Sequence, residues 1–183
     1  MSKKTTDLSH FALAAFGRFG RHHANVIANS PTSRLLAIAE PNQSALEKAS
    51  KEFPEAAIFK DPFRMIEEVE VDAISIVSPE DTHAELVKHA LNKDIHVFCE
   101  KPLSTKLDEA RDLVAQAKQK NLLLRLGYIL RYEPRHRILQ REVQAGRLGT
   151  LANIRAKRDA SRSWFEAYGH RVHPVYELSL IHI

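Results

Sequence analysis

The chain has 183 residues, of which 44% are hydrophobic and 27% charged, and this is the composition of an ordinary globular protein with room for one domain and part of another. No apolar run is long enough to cross a membrane, and the stretch from Phe11 to Phe16 is too short for a signal peptide, so we expect a cytoplasmic protein without a membrane partner. The net charge of +4 arises in residues 121–183, which contain no aromatic and basic platform and no zinc or helix-turn-helix pattern, so we expect no nucleic-acid partner.

Short apolar segments alternate with segments of helical periodicity up to about residue 126. The first strand leads through a glycine-containing turn into a helix that ends at Asn29. This alternation is typical of βαβ units, so we predict an α/β fold with a doubly wound parallel sheet. The predicted strands are residues 11–15, 34–39, 57–59, 71–78, 95–98 and 122–126, and the later helices are residues 43–53, 62–68, 81–91 and a fifth helix that starts between Thr105 and Asp108. The predicted buried face of the fifth helix comprises Leu107, Ala110, Leu113, Val114 and Ala117.

The turn after the first strand reads Ala15-Phe16-Gly17-Arg18-Phe19-Gly20, which is the dinucleotide-binding fingerprint with alanine at its first glycine. Alanine is tolerated at that position if its φ angle is negative. Gly17 lets a pyrophosphate approach the backbone, Gly20 allows close packing of helix and strand, and the helix N-terminus supplies N–H groups. Glu40 ends the second strand, where an acid accepts hydrogen bonds from the adenosine ribose. A tight turn without a ligand is the alternative, but the three features together favour nucleotide binding.

A second motif, Cys99-Glu100-Lys101-Pro102, follows the fifth predicted strand. Ligands of open α/β sheets bind outside the carboxyl ends of the strands, and Pro102 keeps Lys101 out of a helix. We therefore expect Lys101 to lie in the site, against the alternative of a solvated surface turn. Cys99 is interpreted as a small buried apolar residue rather than a nucleophile, and as the only cysteine it excludes a disulfide within the chain.

The order of these motifs resembles that of the Gfo/Idh/MocA oxidoreductases. The resemblance covers about residues 10–177 and implies an NAD(P)-dependent enzyme that transfers a hydride between nicotinamide and a sugar, inositol or related polyol. It implies a Rossmann domain over residues 1–120, followed over residues 121–177 by the incomplete beginning of an α/β substrate and oligomerisation domain with a mainly antiparallel sheet. The motifs are Gly17-x-x-Gly20-x-x-His23, Val71-Asp72-Ala73, Ser78-Pro79 with His83, Glu100-Lys101-Pro102, Gly127-Tyr128 with Arg131 and Pro134, and Gly146-Arg-Leu-Gly149.

In the second domain, the sequence predicts a helix over residues 133–145 that is ended by Gly146, and a first strand over residues 151–158. The resemblance implies that the complete protein is a homo-oligomer. Residues 178–183 do not continue the family's His-Asp-x-Asp-like pattern, so we interpret them as a non-native tail and expect the fragment alone to be inactive.

The resemblance also implies roles for single residues. Lys101 is the expected catalytic residue, accepting the substrate hydroxyl proton in oxidation and returning a proton in reduction, and a cis Lys101–Pro102 bond becomes as plausible as a trans one. Capping is an alternative role for His83, simple solvation for Arg131 and packing for Trp164. The expected cofactor-binding residues are Phe16, Gly17, Arg18, Phe19, Gly20, Glu40, Ser78, Pro79, His83 and Glu100, and the expected substrate-binding residues are Lys101, Arg131 and Trp164.

We expect the cofactor to be NAD rather than NADP, because a 2′-phosphate would face the carboxylate of Glu40. Arg18 is the one nearby residue that could bind such a phosphate instead. No metal is expected, since His170 and His173 lack companion ligands in the sequence. The expected partner is a small-molecule polyol or sugar, and the alternative function is a non-catalytic nucleotide-sensing Rossmann module.

Overall fold

The computed structural model of the chain describes residues 8–155. The chain divides into two compact units, residues 1–127 and residues 128–183. The first unit includes the last strand of its sheet, Leu124–Leu126.

The first unit is built on one six-stranded parallel sheet with the strand order β3-β2-β1-β4-β5-β6. The strands are β1 (Ser9–Ala14), β2 (Ser33–Ala39), β3 (Ala57–Phe59), β4 (Ala73–Ile76), β5 (His96–Cys99) and β6 (Leu124–Leu126). The chain proceeds outward from β1 to β3 and then returns to the other side of β1 with β4. The predicted doubly wound α/β sheet is therefore confirmed, and its order reverses between β1 and β4, which is where such sheets bind ligands.

The strands are connected by five helices: α1 (Arg18–Ala28), α2 (Gln43–Glu52), α3 (Pro62–Glu68), α4 (His83–Asn92) and α5 (Leu107–Gln119). Local sequence signals start two of them. The side chain of Asn42 accepts a hydrogen bond from the Ala45 N–H at the start of α2. The side chain of Asp61 accepts one from the Phe63 N–H at the start of α3. None of the helices within residues 8–155 is long and apolar enough to cross a membrane.

Helices cover both faces of the sheet. Successive side chains of a strand point to opposite faces, so each strand contributes residues to the cores on both sides. On β1, Leu13 packs with Ala24 and Ile27 of α1 on one face. Its neighbours Ala12 and Ala14 belong to the larger core on the other face, which contains buried residues of α3, α4 and α5. The ends of the strands are therefore held in place by helices packed on both faces of the sheet.

The fifth helix differs from its predicted form at the surface. Leu107 and Val114 are 66% and 55% exposed, so their prediction as buried residues is wrong. Leu113 and Ala117 are buried, whereas Ala110 is only half-buried. The buried stripe is narrower than the apolar stripe in the sequence, because only one side of α5 contacts α4 and the sheet.

The second unit contains a 3-10 helix (Ile129–Tyr132) and then α6 (Pro134–Gln144). Glu133 caps α6 by accepting a hydrogen bond from the His136 N–H, and Gly146 follows the helix with a φ of +69°, as predicted for its C-terminus. The strand predicted over residues 151–158 is absent from its described part, residues 151–155, and no antiparallel sheet is seen within residues 128–155. Residues 128–155 provide no neighbouring strand with which such a strand could pair.

Candidate cofactor and catalytic site

Five neighbouring strands end in register, and this fixes where the predicted motifs lie. Ala14 on β1 pairs with Ala39 on β2 and with Ile76 on β4, and the pairing continues through Cys99 on β5 to Leu126 on β6. The residues that follow these positions therefore form a row along one edge of the sheet. In chain order they are Ala15, Glu40, Val77, Glu100 and Gly127.

The turn after β1 is built around Ala15. This alanine has a φ of +78°, so the condition of a negative φ is not met, and the residue adopts the left-handed conformation that glycine tolerates best. Gly20 approaches the Ala15 carbonyl so closely that any Cβ at position 20 would overlap it. The Phe16 side chain is buried and packs edge-on against Phe53, so only its backbone remains for a ligand.

The N-terminus of α1 is suited to an anion. Gly17 is the N-cap residue, and a Cβ on it would meet no atom within 4 Å. The N–H groups of Arg18, Phe19 and Gly20 belong to the first turn of α1, and N–H groups in the first turn of an α-helix have no carbonyl acceptor within the helix. No acidic side chain lies in this turn, and the side chains of Arg18 and Phe19 are exposed. The turn thus combines open space with the N–H groups and the positive helix end that bind phosphate.

Glu40 is buried at the end of β2 and holds the fingerprint turn. Its Oε2 accepts a hydrogen bond of 2.7 Å from the Phe16 N–H, and its Oε1 accepts one of 2.8 Å from the Asn42 N–H. Each carboxylate oxygen can accept a further hydrogen bond. The side chain can therefore support the turn and still accept hydrogen bonds from ribose hydroxyls.

Lys101 lies half-buried in the turn that follows β5. The Lys101–Pro102 peptide bond is cis, one of the two forms that the resemblance made plausible. Cys99, at the end of β5, is fully buried, and burial raises the pKa of its thiol. Its interpretation as a buried apolar residue is confirmed, since a thiol that stays protonated is a poor nucleophile.

A buried polar cluster surrounds the side chain of Glu100. Nε2 of His23 lies 3.4 Å from Oε1 of Glu100, and Nδ1 of His23 lies 2.9 Å from the hydroxyl of Ser75. Gly127 also lies close to this carboxylate, because any Cβ at position 127 would overlap it. His23 and Gly127 belong to the motifs that carry the resemblance, but no role was predicted for either of them or for Ser75, although a serine within the apolar β4 segment was a detectable signal.

His83 is one of the most buried side chains of the described chain, at 1% exposure. Its Nδ1 lies 2.6 Å from the Pro102 carbonyl oxygen and its Nε2 lies 2.8 Å from the Ser78 carbonyl oxygen. The ring therefore does not cap α4, whose N-cap residue is Thr82, and the capping alternative is wrong. Ser78 is half-buried and accepts a hydrogen bond from Thr82 Oγ1, while Pro79 is exposed.

The expected substrate residues other than Lys101 lie beyond the first unit. Arg131 is exposed in the 3-10 helix of the second unit. Trp164, His170 and His173 fall outside the described residues. Residues 178–183, which the sequence led us to interpret as a non-native tail, also fall outside them. Within residues 8–155, no group of three or more His, Cys, Asp or Glu side chains is arranged to hold a metal ion.

The comparisons with known proteins place this architecture in a family. The profile of the Gfo/Idh/MocA family, described as an oxidoreductase family with an NAD-binding Rossmann fold, matches residues 10–128. The chain is 27% identical over 139 residues to a scyllo-inositol 2-dehydrogenase (NAD(+)) of Bacillus subtilis, a match that covers 75% of the chain and 41% of that protein. It is 34% identical over 134 residues to an inositol 2-dehydrogenase of Rubrobacter xylanophilus, covering 73% of the chain and 38% of that relative.

A solved structure agrees with this assignment. The crystal structure of a scyllo-inositol dehydrogenase from Lactobacillus casei with bound NAD(H) and scyllo-inositol superposes with a TM-score of 0.73 at 29% sequence identity. The match covers 78% of the chain but 43% of that protein. The chain thus spans about two fifths of the length of these relatives.

Proposed function

Because this chain belongs to the Gfo/Idh/MocA family of NAD-binding oxidoreductases, we propose that its first unit binds NAD(H) and that the protein transfers a hydride between nicotinamide and a sugar, inositol or related polyol. One observation carries the proposal. The fingerprint turn after Ala14, the acid Glu40 and the turn with Lys101 follow strands that end in register at one edge of the sheet. That edge includes the reversal point between β1 and β4, where doubly wound sheets bind dinucleotides.

The residues at this edge fit a dinucleotide. The open space over Gly17 and the N–H groups of the first turn of α1 fit a pyrophosphate. The carboxylate of Glu40 fits the adenosine ribose hydroxyls, because both of its oxygens retain acceptor capacity after their bonds to Phe16 and Asn42. We assign Ser78, Pro79, Glu100 and His83 to the nicotinamide side. The buried ring of His83 contacts the carbonyl oxygens of Ser78 and Pro102, and the buried carboxylate of Glu100 accepts a hydrogen bond from the Lys101 N–H, so both side chains act there through the backbone.

The same carboxylate favours NAD over NADP. A 2′-phosphate would bring a second negative group against Glu40, which is buried and therefore poorly screened by water. Arg18 is the competing influence, since its side chain is exposed at the start of α1. We give more weight to Glu40, because two backbone hydrogen bonds fix its position, whereas the Arg18 side chain is exposed to solvent.

The nicotinamide, when bound, accepts or delivers the hydride. The protein must then manage the proton of the substrate hydroxyl, because an alcohol releases a hydride readily only as its O–H proton leaves. Lys101 is the residue we assign to this step: its amine accepts the proton during oxidation, and its ammonium protonates the ketone during reduction. The substrate is proposed to be a cyclic polyol or sugar, as in the inositol dehydrogenase relatives, and the complete protein is proposed to be a homo-oligomer.

Titration of the chain with NADH and NADPH at one ionic strength tests the cofactor assignment. Binding is followed by the quenching of intrinsic protein fluorescence. We expect a lower dissociation constant for NADH than for NADPH, and we expect Glu40→Ser to reduce that difference. Glu47→Gln, on the exposed side of α2, is the matched control and leaves both affinities unchanged. Equal or tighter binding of NADPH by the unmodified chain contradicts the preference for NAD.

The alternative function is nucleotide sensing without catalysis. Both functions predict NADH binding, but only catalysis requires an amine beside the hydride acceptor. The contribution of Lys101 to turnover, measured with Lys101→Ala, therefore distinguishes them.

A further inference from the structure

Two buried histidines contact the two residues that flank Lys101. His23, from α1, faces the Glu100 carboxylate at 3.4 Å, and His83, from the start of α4, contacts the Pro102 carbonyl oxygen at 2.6 Å. We propose that His23 and His83 are positioning residues that hold Lys101 in place from opposite sides of its turn. This inference rests on the proposed role of Lys101 in hydride transfer.

The contact on the Glu100 side is enclosed. The side chains of His23 and Glu100 are 14% and 10% exposed, and Gly127 lies so close to the carboxylate that any Cβ at position 127 would overlap it. Ser75 on β4 fixes the far nitrogen of the His23 ring at 2.9 Å. The carboxylate therefore has little freedom to move, and α1, which carries the proposed pyrophosphate site, is linked directly to the turn that carries Lys101.

The contact on the Pro102 side joins two strand ends. The ring of His83 reaches Pro102 after β5 with Nδ1 and Ser78 after β4 with Nε2. Both partners are carbonyl oxygens, so each contact is a hydrogen bond only where the ring nitrogen on that side carries a hydrogen. The two nitrogens thus have separate partners, and a substitution can preserve one contact while it removes the other.

The amides of asparagine and glutamine separate these contacts. Asparagine places its N–H₂ group near the position of the histidine Nδ1, and glutamine places it near that of Nε2. His83→Asn should therefore keep the bond to Pro102, which His83→Gln loses. At position 23 the order is reversed, because Nε2 is the nitrogen that faces Glu100: His23→Gln keeps that contact, and His23→Asn keeps only the Ser75 side.

Lysine labelling measures the effect on Lys101 in the whole chain without a cofactor or substrate. Each variant is reductively methylated with limiting formaldehyde, and modification of Lys101 is compared by peptide mass mapping with that of exposed Lys106 in the same molecule. His83→Gln and His23→Asn should raise the relative rate at Lys101 by about threefold or more, because they release one side of the turn, whereas His83→Asn and His23→Gln should stay close to the unmodified chain. His22 and His89, exposed or half-exposed on the same two helices, provide matched Asn and Gln controls without an effect.

A merely structural role for the two rings would not produce this crossed pattern, so equal effects of asparagine and glutamine at both positions overturn the proposal. The variants of His23, which is less buried than His83, decide the matter if a variant of His83 does not fold. NADH titration of the unmodified chain tests the proposed function separately. Failure to bind NADH contradicts the proposed function, while the crossed pattern, measured without cofactor, still decides whether the histidines position Lys101.

Discussion

The carboxylate of Glu40 accepts a hydrogen bond of 2.7 Å from the backbone N–H of Phe16, and thereby connects the end of β2 to the fingerprint turn after β1. The acid expected to bind a ribose is therefore also part of the turn expected to bind the pyrophosphate. A ligand that contacts Glu40 meets a carboxylate already oriented by two backbone N–H groups.

Glu40→Gln should destabilise the first unit. The amide has one acceptor oxygen for two backbone N–H groups, so either the buried N–H of Phe16 or the part-buried N–H of Asn42 would face an NH₂ group. An unsatisfied buried donor costs about 1–3 kcal/mol. Urea unfolding followed by circular dichroism measures the loss, with Glu47→Gln as the exposed control; equal stabilities of the two variants would show that the buried bonds contribute nothing.

The two fingerprint glycines should respond differently to alanine. Gly17→Ala should change the unfolding free energy by less than about 0.5 kcal/mol, since its Cβ meets open space, but should weaken NADH binding about tenfold by occupying the phosphate position. Gly20→Ala should destabilise the fold by about 1–3 kcal/mol, because its Cβ overlaps the Ala15 carbonyl. Unfolding and NADH titration of both variants test this contrast, which a fully stable Gly20→Ala protein would refute.

Ala15→Gly should stabilise the protein. The left-handed φ costs an L-residue roughly 1–2 kcal/mol, and glycine removes this cost. Glycine also makes the unfolded chain more flexible, which lowers stability by about 0.5–1 kcal/mol. The expected net gain in stability is about 0.5–1 kcal/mol. Ala14→Gly, one residue earlier within β1, is the control and should be destabilising. A loss of stability in both variants would mean that the alanine methyl contributes more than its backbone strain costs.

Lys101→Ala should lower turnover by about 10² or more, which is the usual contribution of a general acid or base, while NADH affinity changes little. The assay uses a chimera in which residues 1–127 replace the corresponding domain of the Rubrobacter xylanophilus inositol 2-dehydrogenase, with inositol and NAD⁺ as substrates. Lys106→Ala, at an exposed position in the same loop, is the control. Preserved turnover together with lost NADH binding would assign Lys101 to the cofactor instead of the proton.

Cys99 should be unreactive in the native protein. Burial raises the pKa of its thiol, so neither the thiolate nor access for a reagent is available at pH 8. Ellman's reagent should release no colour from the folded chain and one equivalent after unfolding in urea, since Cys99 is the only cysteine. Rapid reaction of the folded protein would show that the end of β5 opens locally.

The fold class and the strands and helices of the first unit follow from the amino-acid sequence alone. Alternating apolar strands and amphipathic helices leave few arrangements other than a parallel sheet covered on both faces, and the motifs at the strand ends identified Gly17, Gly20, Glu40 and Lys101 as candidates. Hydrophobic periodicity did not predict burial correctly on α5, because burial also depends on which elements pack against the helix. Leu107 and Val114 continue an apolar stripe on α5, but only one side of that helix meets the core.

Which residues act together depends on contacts between distant parts of the chain. His23 lies on a helix, Ser75 in a strand and Glu100 after the end of another strand, so no local pattern shows that they form one buried cluster. The same applies to His83, whose partners became clear only when β4 and β5 lay side by side. The left-handed Ala15 has the same cause: its conformation is imposed by the close approach of α1 to β1, which outweighs the intrinsic preference of alanine.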